Sequence, residues 1–190
     1  MSQPKYVHAL ELPKKGNLSP GMEKYLSICQ EKLGMVPNVL EAYAFDGEKL
    51  EVFADFYNNL MLADSALSKL EREMIAVVVS SINKCFYCLV AHGAAVRQLS
   101  KDPALGEILV MNYRVAEIPE RQRAMLDFAA KVTERPNEIE EPDRQALRDA
   151  GLSDEEIFDV AAVAGFFNMT NRVASAIDMM PNPEYHAQAR

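Results

Sequence analysis

Four residues near the middle of the chain have types and spacings that could do chemistry: Glu73, Cys85, Cys88 and His92. Cys85 and Cys88 form a Cys-x-x-Cys pair, and His92 follows four residues after the second cysteine. If the chain is helical from about Asn83 onward, steps of three and four residues bring both thiols and the imidazole onto one face. Two thiols, an imidazole and a carboxylate are the parts of a thiol redox site. An ordinary cysteine, with a pKa of about 8.5, is only a few per cent thiolate at neutral pH. Lowering that pKa by two units takes about 2.7 kcal/mol of differential stabilisation. Cys85, in the first turn, would draw part of this from the positive end of the helix dipole. Cys88 lies one turn further in, gains less, and needs a base, for which His92 is the candidate.

Glu73 sits in an apolar run, with Leu70 and Val77 on its side of a helix while Glu71 and Arg72 point elsewhere. A carboxylate facing a core is costly unless it is paired or protonated. Held with a raised pKa near the thiols, it would pass protons to and from His92. Satisfied by a buried arginine or by backbone donors, it would be structural only. The residues alone leave three readings open: a redox pair, a zinc site, or inert core thiols. Haem attachment needs a histidine directly after the second cysteine, where Leu89 stands. Zinc is the serious rival, since Cys85, Cys88, His92 and Glu73 can each ligate it, but structural zinc sites usually draw on two short loops and no second Cys or His pair is present. Cys29, at helical spacing from Tyr25 and Ile28, reads as a small buried core residue.

The elements that must position these groups all read as helices. Ser19-Pro20 starts one, by a cap residue and then proline, and Gly34 stops it. Pro37-Asn38 opens a short helix ending near Asp46-Gly47, and the apolar spacing of Leu50, Phe53, Ala54, Tyr57, Leu60 and Met61 predicts a third over residues 48–62. Ser68 and Glu71 form a capping box ahead of a run that is apolar almost all round, so that helix belongs at the centre. Its valines make a buried strand the competing reading; the capping box decides for helix. Asn83 is then the expected cap of the helix carrying the cysteines, which runs to about Leu99. Helices opening at Asp102-Pro103, Pro119-Glu120 and Glu141-Pro142 follow. A second capping box, Ser153 with Glu156, leads into a long apolar helix expected to reach Met179. Pro181 and Pro183 end it, and residues 185–190 read as a loose tail.

The result is an all-α chain, expected as one domain over residues 1–190: N-terminal helices at 19–62, a Cys-x-x-Cys core at 67–100, C-terminal helices at 103–179 and a tail from 181. The two capping boxes hint at an internal duplication. At that offset Cys85, Cys88 and His92 fall on Thr170, Val173 and Ile177, so only the first copy would carry reactive groups. The formal charge of −8 argues against gripping nucleic acid, which needs a basic surface. The longest apolar stretches, near residues 74–79 and 160–167, are far too short for a membrane span. With no apolar leader at the start and too few cysteines for a secreted disulfide framework, the expected location is cytoplasmic.

Glu73, Cys85 twelve residues on, Cys88 three further and His92 four beyond resemble the alkylhydroperoxidase D (AhpD) core motif of the carboxymuconolactone decarboxylase-like superfamily. The flanks Gly34-Met35-Val36-Pro37-Asn38, Phe128-Ala129, Ala150-Gly151-Leu152-Ser153 and Phe167-Asn168-Met169-Thr170-Asn171-Arg172 are similar to its peroxidase-related branch. The resemblance implies an all-helical, homo-oligomeric enzyme that reduces hydroperoxides through a redox-active Cys85–Cys88 disulfide. It needs no metal or other cofactor, and an external dithiol or disulfide reductase returns it to the reduced form. By the same resemblance Cys88 is the peroxidatic thiol, Cys85 resolves it, and Glu73 and His92 relay protons with a water. That assignment runs against the helix dipole, which favours Cys85 as the more acidic thiol; a base in reach can outweigh a dipole effect of about 1 kcal/mol. Family members carry a histidine between the cysteines where this chain has Tyr87, which could tune the relay. Decarboxylase members lack the cysteine pair. A general thiol–disulfide oxidoreductase and a helical oligomer with a structural zinc at Cys85, Cys88 and His92 are the alternatives.

Overall fold

The computed structural model describes residues 4–13 and 15–190; the first three residues read above as part of a leaderless start, and Lys14, lie outside them. Among the described residues every regular element is helical and no strand occurs. In chain order these are α1 (Pro20–Leu33), α2 (Asn38–Tyr43), α3 (Gly47–Tyr57), a π-helical turn (Asn58–Leu62), α4 (Lys69–Ile82), α5 (Phe86–Ser100), α6 (Pro103–Asn112), α7 (Glu120–Glu134), α8 (Glu141–Asp149) and α9 (Asp154–Ala176). Short 3₁₀ turns at Tyr113–Val115, Pro136–Glu138 and Pro183–His186 complete the order.

The apolar run after Ser68 forms the central helix. Every residue of α4 from Glu71 to Ser80 is buried, and α5, α6, α7 and α9 all pack against it. Both expected capping boxes are present, Ser68 with Glu71 and Ser153 with Glu156. Arg121 of α7 joins them: its Nε meets Glu71 Oε1 at 3.2 Å and its Nη2 meets Glu156 Oε1 at 2.6 Å. One guanidinium thus sets the starts of α4 and α9 side by side. The strand alternative for the valines fails because their helix is buried on all faces, where side-chain packing outweighs valine's weak helix propensity.

Several boundaries differ from the sequence reading. The short helix α2 ends at Tyr43, and Asp46 turns away to cap α3, accepting the Lys49 backbone N–H at 3.1 Å. The third helix does not stay α-helical to Leu62. After Tyr57 it widens into a π turn, and the carbonyls of Leu60 within it and Ala63 just beyond it accept from the Arg72 guanidinium at 3.0 and 2.9 Å. Arg72, held by these carbonyls, and Glu71, held by Arg121, are both buried although they lie off Glu73's side of the helix. Helix α9 stops at Ala176 rather than Met179, because Asp178 adopts a left-handed conformation that turns the chain.

The most consequential shift is at the α4–α5 junction. Asn83 does not cap the cysteine helix; it is the last, C-capping residue of α4. Lys84 follows with φ 55°, and the N–H groups of Lys84 and Cys85 return to the carbonyls of Ser81 and Ser80 at 3.1 and 3.0 Å. This is a Schellman ending with lysine in the position glycine usually takes. Cys85 itself occupies the N-cap of α5, with extended backbone.

Nor is the end of the chain a loose tail. The Asn38 backbone N–H donates to Asn182 Oδ1 at 2.7 Å, and Arg97 Nη2 and Nε donate to the carbonyls of Tyr185 and Gln188, each at 3.0 Å. The stretch near the N-terminus also docks, Ala9 N–H to the Ile177 carbonyl and Met180 N–H to the Val7 carbonyl, both at 2.9 Å.

Candidate active site

The helix break delivers the chemistry. With Cys85 at the N-cap and Cys88 one turn in, both thiols are free and buried at the start of α5. His92, one turn further, reaches back to α4, where its Nδ1 lies 2.6 Å from Glu73 Oε2. The structure therefore brings together all four residues singled out in the sequence, and Glu73 is satisfied by His92 rather than by an arginine. With the carboxylate ionised, Nδ1 is the hydrogen-bond donor and Nε2 keeps the lone pair. Phe167 of α9 stands edge-on to the imidazole, ring centres 4.6 Å apart, and fixes its plane.

The two sulfurs share one charge unequally. The Cys85 thiol is pulled down to about 6, first by a hydrogen bond from the Cys88 thiol, then by the Cys88 backbone N–H and the Ser175 hydroxyl, against the cost of burial. The same thiol–thiol hydrogen bond, together with burial, pushes Cys88 well above an ordinary thiol. Ser80 and Asn171 temper that rise by hydrogen bonding to Cys88, and the Asn171 amide in turn donates to Ser80 Oγ at 3.0 Å. Asn83 holds this corner together, its amide donating to Asn168 and Asn171, each at 3.0 Å.

Cys88 and His92 form part of the wall of a mainly apolar cavity of about 390 Å³ that Cys85 does not reach. That volume sits near the lower end of the roughly 300–1,000 Å³ typical of small-molecule sites. The exposed side chains of Leu33 and Leu62 lie at its rim, and Phe166 and Phe167 line its floor. Four phenols, Tyr25, Tyr57, Tyr87 and Tyr185, also face it. The Tyr87 hydroxyl accepts the Val39 backbone N–H at 3.1 Å and so ties α5 to α2. Cys29 lines the same cavity, a placement its core reading missed; burial pushes its thiol up. Among the described residues no three His, Cys, Asp or Glu side chains converge as a metal-binding set, so the alternative reading of a zinc clamp at Cys85, Cys88 and His92 has no matching geometry.

The model of the carboxymuconolactone decarboxylase family matches residues 48–104, which include all four site residues. The solved structure of an uncharacterized peroxidase-related protein from Silicibacter sp. TM1040 is 68% identical over 100% of both chains, with a TM-score of 0.95. A second, described as an alkylhydroperoxidase AhpD core, an uncharacterized peroxidase-related protein from Ralstonia eutropha JMP134, is 40% identical over 100% of this chain and 98% of that one, with a TM-score of 0.93. The chain belongs to the AhpD-like, carboxymuconolactone decarboxylase-like superfamily. Within it, kinship with peroxidase-related proteins supports an antioxidant role at the level of the family. The AhpD-like fold extends to the debrominase Bmp8, at 18% identity over 99% and 98% of the two chains and a TM-score of 0.76. A search of curated proteins gives no match.

Sequence reasoning missed Ser80, Ser175, Tyr57 and Tyr185 as parts of this AhpD-like site. Asn168 and Asn171 lay within the flank that carried the resemblance, but without a role.

Proposed function

We propose that this AhpD-like protein is a thiol-dependent hydroperoxide reductase that cycles through a Cys85–Cys88 disulfide. The observation that carries the reading is the Glu73–His92 hydrogen bond, 2.6 Å long, with His92 on the wall of the cavity that also receives Cys88. A peroxide entering that cavity meets Cys88 before Cys85.

The shared charge resolves the conflict between the family's peroxidatic thiol and the more acidic one. Once the pair has lost a proton, the other lies between two hydrogen-bonded sulfurs, and its position belongs to the pair rather than to either residue. Moving it from Cys88 to Cys85 places the charge on the sulfur that faces the cavity. The Cys88 thiolate then attacks the peroxide oxygen, the O–O bond breaks, and the departing alkoxide takes the proton that the thiol pair gave up to His92 Nε2, whose imidazolium Glu73 steadies. Cys88 is left as a sulfenic acid. Cys85 attacks it, the disulfide forms and water leaves. A dithiol reductant then takes up the oxidising equivalents and restores both thiols.

Replacement of Cys88 by serine tests the assignment. The variant is expected to lose reaction with tert-butyl hydroperoxide; a rate equal to wild type would refute it. A second reading, a general thiol–disulfide oxidoreductase, draws on the acidity of Cys85 at the helix N-cap. It requires faster turnover of disulfide substrates than of any peroxide.

A further inference from the structure

The end of the chain approaches the site from outside the helix pair that carries the chemistry, and it is held there at two points. On one side Asn182, buried, accepts the Asn38 backbone N–H at 2.7 Å and donates to the Val36 carbonyl at 2.9 Å; Asn38 donates back to the Met180 carbonyl at 2.7 Å. On the other side stands Arg97 of α5, 5% exposed and paired with no carboxylate among the described residues. Its guanidinium is spent on the carbonyls of Tyr185 and Gln188. A buried cation with two backbone acceptors is a costly arrangement to keep for an idle tail.

The slot for that arginine is built by glycines. A β-carbon added to Gly106 would lie 3.0 Å from Arg97 Cγ and 3.1 Å from the Gly93 carbonyl oxygen. Helices α5 and α6 thus close on each other with just enough room for the arginine stem. Between the two anchors the Pro183–His186 turn lays the Tyr185 ring against the cavity that holds Cys88 and His92, beside the Tyr87 phenol.

We propose that this C-terminal turn is the specificity wall of the substrate cavity: Tyr185 sets how bulky a hydroperoxide reaches Cys88, and Arg97 and Asn182 are the residues that position it. The proposal rests on the peroxidase reading above. A ring contributed by the last residues of the chain makes the cavity's width a property of the docked turn, so loosening the turn widens the site without touching the thiols.

The test is the ratio of kcat/KM for cumene hydroperoxide to that for hydrogen peroxide. Tyr185→Ala is expected to raise this ratio about tenfold, the scale of discrimination that apolar bulk in a pocket provides, and Tyr185→Trp to lower it. Arg97→Met, which keeps the stem but loses both hydrogen bonds, is expected to move the ratio the same way as Tyr185→Ala, with Arg97→Lys in between. A purely structural arginine would lower both rates together and leave the ratio alone. Should Arg97→Met fail to fold, the two Tyr185 variants carry the test. Ratios that stay within about twofold of wild type in both Tyr185 variants overturn the proposal. If wild type turns over neither peroxide, the peroxidase reading falls, and the wall is tested separately by displacing 8-anilinonaphthalene-1-sulfonate with cumyl alcohol. Binding tighter in Tyr185→Ala and weaker in Tyr185→Trp supports the wall, and equal binding in all three proteins overturns it.

Discussion

A thiol at a helix N-cap and a thiol one turn inside the helix make different use of a single negative charge. Cys85 is stabilised as the anion by Cys88, by backbone and by Ser175; Cys88 keeps the proton but owns the cavity. Thiolate absorbance near 240 nm in a Cys29→Ser background should therefore rise as pH increases through about 6, where the proton leaves Cys85, and be flat by pH 8. Ser175→Ala removes one donor and should move that midpoint upward. Glu73→Gln leaves His92 without its carboxylate, and the rate with tert-butyl hydroperoxide should fall about 10²- to 10⁴-fold, the usual worth of general acid–base catalysis. At this scale much was legible: four reactive residue types at helical spacing need only local geometry to be brought together. Ser80, Asn171 and Ser175 were not, because two of them come from a helix some ninety residues along the chain and no local pattern links them to the thiols.

Helix starts were easier to read than helix ends. Ser68 and Ser153 cap their helices through side chains written in the sequence, and both boxes form as expected. The endings of α4 and α9 rest on left-handed residues that are not glycine, Lys84 and Asp178, so nothing announces them. That is why Asn83 was misplaced as a cap and Cys85 was expected inside the helix rather than at its N-cap. The π turn after Tyr57 was equally invisible, since it depends on Arg72 reaching its carbonyls from another helix. Ser68→Ala should cost about 1 kcal/mol and lower Tm by roughly 2–4 °C in a thermal melt. Arg121→Ala should lower it further, because the buried Glu71 and its counterpart Glu156 lose a common partner at once.

For the whole molecule, the all-helical architecture and the central place of α4 follow from hydrophobic pattern, and kinship with AhpD-like proteins agrees with both. The cavity could not be read this way. Its wall takes side chains from α1, α2, α3, α5, α9 and the C-terminal turn, and Cys29 and Tyr185 face it only because distant segments meet there. No described helix is long and apolar enough to cross a membrane. The exposed apolar side chains of Val52, Phe56 and Met169 line one shallow groove, and we propose it as the seam through which the homo-oligomer implied by the family resemblance would form. Light scattering should accordingly report a multiple of 21.2 kDa, with Val52→Glu shifting the mass toward that of one chain.

The central claim is that Cys85 and Cys88 exchange two thiols for one bridge when a hydroperoxide arrives. Free-thiol titration before and after one equivalent of tert-butyl hydroperoxide, with metal content determined on the same sample, tests it most directly. The expected result is a fall from three thiols to one, the survivor being Cys29, with Cys85 and Cys88 joined in the tandem mass spectrum. Three unreacted thiols accompanied by stoichiometric zinc would contradict it.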